Sequence, residues 1–259
     1  MGGHHHHHHE HHGKGGGGDI EAGFYNYGKG MNSGNELYPG MIESPELRWG
    51  FIRKVYIIVA CQLLLTALVS SIYFIFPKIK DTIRSNLVFL ILMIVIPLIV
   101  TIIILFALSK YYKKHPVNLI LLAIYTIATA VGVGFFTSFS KGPIVFEAIL
   151  LTGAVVLSLT AYTFWAVKRG HDFSFLGPFL FAASMVLLFF AIIQMIHPLG
   201  PIGRMIYSGL GALLMCGYIV FDTNNLIKVY DYDEYVWGAI AIYQDIITLF
   251  LHLLSILNN

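Results

Sequence analysis

The chain has 259 residues, 57% of them hydrophobic and only 12% charged, with a mean hydropathy of +0.73 and a formal net charge of +2. A soluble domain of this size carries about 25% charged residues to keep its surface wet, so a water-soluble globular protein is excluded. The near-neutral charge, without a basic stripe, also excludes a nucleic-acid-binding surface. The composition defines an all-α polytopic membrane protein.

In chain order, residues 1–18 (MGGHHHHHHEHHGKGGGG) read as a tag, which leaves His115, His171, His197 and His252 as the histidines to consider. Residues 19–48 are rich in Gly, Asn and Glu, lack periodicity, and are expected to form a flexible cytosolic tail. The membrane domain is expected over 49–259. It contains seven apolar segments, at 55–76, 86–109, 117–140, 144–167, 173–196, 205–227 and 235–257. At a rise of about 1.5 Å per residue each is long enough to cross a hydrocarbon core of roughly 30 Å, and only helices can do so without stranding backbone polar groups. The expected architecture is a seven-transmembrane-helix bundle. Pro97 and Pro178 are expected to kink or bound their helices. Spacings such as Gly134/Ser138 and Ser208/Ala212 allow close helix approach.

With the N-terminus in the cytosol, Arg48, Arg53, Lys54, Lys110, Lys113, Lys114, Lys168, Arg169 and Lys228 fall on that side. Lys78, Lys80, Arg84, Lys141 and Arg204 fall on the other. The excess favours that orientation. The seventh segment carries Gln244, Asp245 and His252, which leaves open a re-entrant course in place of a full crossing.

Three carboxylates lie inside apolar segments: Glu147, Asp222 and Asp245. An intramembrane carboxylate costs about 2.5 to 3.5 kcal/mol at a helix centre, faces the bundle interior or water, and marks a functional site by default. Asp222 and Asp245 sit on consecutive segments joined by a short loop. Their helices are therefore antiparallel neighbours, and both residues fall in the half of the membrane nearest that loop. Two carboxylates facing each other in low dielectric share a proton. Such a pair suits a proton-controlled gate, a weak Ca²⁺ site or a catalytic dyad. Glu147, and Asp231, Asp233 and Glu234 in the YDYDEY loop, are candidates for the mouths of an ion path. That loop lacks EF-hand ligand spacing.

Four stretches carry a resemblance: RKVY from Arg53, FEAILLT from Phe146, GYIVFDTNNLI from Gly217, and YDYDEYVWGAIAIYQDIITLFLHLLSIL from Tyr230. On these residues the sequence resembles the Bax inhibitor-1 (transmembrane Bax inhibitor motif) family, specifically its Lifeguard branch of plant type. The resemblance spans nearly everything from Arg48 onward. It implies a bundle built around a central last helix, residence in the endoplasmic reticulum or another endomembrane, calcium homeostasis and suppression of cell death. It also implies a calcium leak governed by a di-aspartyl pH sensor at positions matching Asp222 and Asp245. Some members add an arginine on the second helix as ion-pair partner. This sequence has none there, and Arg53 and Arg84 are the nearest substitutes.

The implied partners are the bilayer, Ca²⁺ and H⁺, and other membrane cell-death regulators. No bound cofactor is expected beyond Ca²⁺ as a permeant or weakly held ion, and no enzymatic activity. Two alternatives stay open. One is a non-conducting scaffold that binds cell-death proteins. The other is an intramembrane aspartyl protease, although Asp245 follows Tyr243-Gln244 in place of a Gly-x-Gly setting and no Pro-Ala-Leu segment follows.

Overall fold

The computed structural model describes residues 34–259, so the tag (1–18) and the first part of the tail (19–33) lie outside it. Eight helices follow in order: α1 (Pro45–Ile75), α2 (Pro77–Ser85), α3 (Leu87–Tyr111), α4 (Val117–Thr137), α5 (Gly142–Lys168), α6 (Leu176–Ile196), α7 (Gly200–Lys228) and α8 (Tyr235–Leu257). All but α2 are long and apolar enough to cross a membrane.

The first helix starts at Pro45, earlier than the first apolar segment at 55–76 suggests. Pro45 supplies a helical φ where no N–H bond is needed, and Glu46 places an acid in the first turn. From there Arg48, Phe51, Ile52, Val55, Val59, Gln62, Thr66 and Tyr73 form one buried stripe at helical spacing. The packed unit begins at Leu37, itself buried. At about 1.5 Å per residue α1 outruns a hydrocarbon core of roughly 30 Å, so its first turns project beyond the membrane on what we term the N-terminal face.

Pro77 ends α1 and opens α2, a short amphipathic helix in the connection between the first two apolar segments. Its Ile83 packs with Tyr73 and Phe135. Its Lys80 donates to the Ser138 carbonyl at 3.2 Å, at the end of α4, where a cation complements the helix dipole. Pro97 lies inside α3 and Pro178 in the first turn of α6.

α8 is the hub and packs against α1, α4, α5 and α7, whereas α3 lies outside α4 and α6 outside α7. Its two ends meet the two ends of α4. Asn118, at the start of α4, donates to Tyr235 Oη at 2.7 Å, and Asn258 donates to Ser140 Oγ, just past the end of α4, at 2.7 Å. A re-entrant segment would return both ends to one face, so α8 is a full-length helix of the bundle. α7 runs antiparallel beside it. Gly211 lets the His252 ring lie against the α7 backbone, and Ser208 donates to Ser255 at 2.8 Å.

Candidate functional site: a buried aspartyl pair and its surround

On α7 the 3.6-residue period places Ser208, Ala212, Met215, Ile219, Asp222 and Leu226 on the face buried in the bundle. On α8 it does the same for Ala239, Ile242, Asp245 and Leu249. The antiparallel register then brings the two acids together. Asp222 is 9% exposed and Asp245 5%, and their carboxyl groups lie near enough to influence one another electrostatically. Asp245 Oδ2 is sealed from solvent without any hydrogen-bond partner. Two facing carboxyl groups of this kind are held together by a shared proton and driven apart when both ionise.

Neither expected arginine reaches the pair. Arg53 is exposed on the outer side of α1, and Arg84 lies at the far face with its guanidinium 5.0 Å from the Phe139 ring centroid. Among the described residues, no salt bridge involves Asp222 or Asp245. The far-face position of Arg84 follows from the single crossing made by α1, which puts α2 at the face opposite the α7–α8 loop.

The candidate mouth residues are also separated from the pair. Glu147 is exposed on α5 next to the fully buried Ala148, so it points out of the bundle. In the α7–α8 loop, Asp233 pairs with Lys113 at 3.3 Å, both side chains about half exposed. Glu234 turns back to accept the Asp231 N–H at 2.9 Å, and Asp231 is exposed. The loop is thus an internally bonded turn with one acid neutralised. Among the described residues, no three His, Cys, Asp or Glu side chains converge as a metal site. A cation at the pair would therefore take two carboxylates and draw its remaining oxygens from water and neutral groups, which suits transient occupancy better than storage.

Two features escaped the sequence reading. The first is Arg48, treated there only as a cytosolic charge. It is 4% exposed and bonds both oxygens of Glu43, Nε to Oε1 at 2.8 Å and Nη2 to Oε2 at 2.9 Å. Its Nη1 donates to the carbonyls of Tyr230 at 2.6 Å and Leu226 at 3.4 Å. The guanidinium lies 5.3 Å from the Phe51 ring centroid and 5.0 Å from that of Tyr232. Glu43 also accepts from Tyr232 Oη at 2.6 Å and Tyr38 Oη at 3.1 Å. Burial is the largest influence on the Glu43 carboxyl and pushes it up, but the bonds from Arg48, Tyr232 and Tyr38 with the Arg48 charge together hold it below its usual 4.5. The Tyr230 phenol, in the loop, is pushed well up by burial and then by the charges of Asp222, Asp245 and Glu234, which places its ring within electrostatic reach of the pair. The signal for Arg48 was its place on the α1 stripe, one turn before Phe51 and Ile52.

The second feature lies on the other flank of α8. Gln62 donates to Thr126 Oγ1 at 3.0 Å, Thr66 bonds Tyr243 Oη at 2.5 Å, and Tyr125 donates to Gln244 Oε1 at 2.6 Å. These bonds tie α1 to α4 and each of them to α8. Each polar member of α1 sits at i, i+4 spacing within an otherwise apolar stripe.

A helical membrane bundle whose last helix is its core, with a carboxyl pair buried between the last two helices, defines the class of protein. Residues 48–259 match the family described as "Inhibitor of apoptosis-promoting Bax1", and the chain belongs to that Bax inhibitor-1 family. It is 55% identical over 223 residues to Protein LIFEGUARD 4 of Arabidopsis thaliana, covering 85% of this chain and 89% of the relative. It is 50% identical over 245 residues to Protein LIFEGUARD 1 of the same plant, covering 93% and 98%. It is also 34% identical over 234 residues to the Golgi anti-apoptotic protein of Vaccinia virus (strain Lister), covering 90% and 92%.

Proposed function

We propose that the protein suppresses cell death as a calcium leak channel or pH-sensitive regulator of calcium in the endoplasmic reticulum or another endomembrane, with its N-terminus cytosolic and Asp222 and Asp245 as the controlling element. The observation that carries this reading is the pair itself: two buried neighbouring carboxyl groups, one oxygen without a partner and, among the described residues, no basic side chain bonded to either. The family and the anti-apoptotic Golgi relative of Vaccinia virus support the protective role. The orientation rests on the excess of Lys and Arg at the N-terminal face.

With one proton shared, the two carboxyl groups act as a hydrogen-bonded clip between α7 and α8. Losing that proton places two like charges in a low-dielectric contact, which favours separation and hydration of the α7–α8 seam. The ionised pair then offers hard oxygen ligands to Ca²⁺. Protonation closes the clip.

The test is calcium efflux from liposomes carrying the wild type and Asp222→Asn/Asp245→Asn between pH 5 and 8. The expected outcome is a pH-dependent flux lost in the double variant. Equal fluxes without pH dependence in both proteins would replace this reading with the non-conducting scaffold. Cleavage of a labelled membrane peptide that requires both acids would replace it with the protease.

A further inference from the structure

On the N-terminal face, residues 37–44 form a strap that precedes α1 and is fastened by side chains to the end of α7 and the α7–α8 loop. Glu43 receives both Arg48 bonds and the Tyr232 hydroxyl. Lys228, at the end of α7, lies 5.5 Å from the Tyr38 ring centroid. Arg48 is the centre of this buckle, because it holds Glu43 with one edge and the loop with the other.

The carbonyls it chooses give the buckle its meaning. Leu226 follows Asp222 by one helical turn, so a bond to its carbonyl fixes the turn on which Asp222 is mounted. Tyr230 follows by one more turn, and its backbone is held at 2.6 Å by the same Nη1. A freed C-terminal turn would fray, since the last carbonyls of a helix lack partners of their own. An arginine in this position supplies donors and a cation at the negative end of the dipole together. A lysine also donates, but its single ammonium cannot hold the Glu43 carboxylate along one edge and the two carbonyls from another nitrogen.

We propose that Arg48, held by Glu43, is a positioning residue for the aspartyl pair: by pinning Leu226 and Tyr230 it keeps the end of α7 closed over Asp222 and Asp245 from the N-terminal side. The part of this inference that concerns flux rests on the leak reading above. The part that concerns access to the pair does not.

Two measurements on the full-length chain in proteoliposomes separate these parts. In the first, Cys61 and Cys216 are replaced by Ser and a single cysteine is introduced as Thr223→Cys, a fully buried position beside Asp222. Its reaction with a membrane-impermeant thiol reagent added from the N-terminal side is timed. Arg48→Gln removes buried charge-assisted bonds and should speed labelling roughly tenfold or more, with Glu43→Gln giving a smaller gain and Arg48→Lys an intermediate one. In the second, calcium flux is followed against pH. Arg48→Gln should raise flux and displace the midpoint of its pH profile, and adding Asp222→Asn/Asp245→Asn should abolish the increase. A destabilised but otherwise unaltered protein would lose folded yield and keep its midpoint. Unchanged labelling in folded Arg48→Gln and Glu43→Gln overturns the proposal whatever the flux. Faster labelling with no flux in any protein supports the strap and overturns the leak reading instead.

Discussion

The hydroxyl of Thr66 permits a prediction whose sign depends on counting protons. Thr66 Oγ1 lies 2.8 Å from the Gln62 carbonyl, which can only accept, and 2.5 Å from Tyr243 Oη. Its single proton goes to the carbonyl, so Tyr243 must be the donor in the bond between α1 and α8. Tyr243→Phe then leaves Thr66 satisfied and should cost only the interhelical bond, about 0.6 kcal/mol by the average for membrane bundles. Thr66→Val instead strands the hydroxyl of a tyrosine that is 0% exposed, a loss of about 1 to 3 kcal/mol. Combining the two removes the orphan, so Thr66→Val/Tyr243→Phe should be more stable than Thr66→Val alone, by about 1 kcal/mol. Equilibrium unfolding in mixed micelles, read by tryptophan fluorescence, measures all three variants against the wild type. Additive losses in the double variant would refute both the donor assignment and the claim that this contact is closed to water.

Ser184 repeats the arrangement between α6 and α7, with its hydroxyl 2.8 Å from the Leu180 carbonyl and 2.6 Å from Tyr218 Oη. Tyr218→Phe should therefore be the milder change and Ser184→Ala the harsher, by the same unfolding assay. Gly134→Ala should separate α1 from α4, because its Cβ would fall 2.8 Å from the Ser70 Cα; lower thermal stability in detergent is expected, with backbone unable to give way as a side chain could. The strap should weaken in acid. Glu43 titrates below its usual 4.5 in the folded chain, so its stabilising contribution is complete above that value and falls as pH drops through the lower folded one. Unfolding midpoints of wild type and Glu43→Gln should accordingly converge as the pH is lowered. Lys113→Ala, which breaks only an exposed pair with Asp233, should leave stability unchanged in the same assay.

The class, the seven spans and the two buried acids were legible because each rests on a local signal. Membrane helices announce themselves by length and apolarity, and an acid within such a run stands out whatever surrounds it. Adjacency of Asp222 and Asp245 also followed from a short loop between consecutive helices. What escaped were groups whose role depends on partners distant in the chain. Arg48 looks like an ordinary flanking cation until the α7–α8 loop is brought over it, and Glu43 sits in a stretch with no periodicity at all. Arg84 does not reach the pair because α1 carries it across to the far face, while both acids lie in the half of the bundle nearest the N-terminal face. Glu147 points out of the bundle, as an acid near a helix end can without an interior partner.

The hub position of α8 also bears on how the protein is made. Helices leave the ribosome in chain order, so α1 to α7 enter the bilayer before the element they will enclose exists. Until it arrives, Tyr125, Ser208 and Asp222, which face Gln244, Ser255 and Asp245 of α8, must find temporary partners in lipid, in water or in the insertion machinery. Assembly is thus completed by a late insertion into a waiting ring, in contrast to accretion outward from an early nucleus. A nascent chain arrested before Tyr235 would expose a polar groove within the membrane, the kind of surface that quality control can recognise.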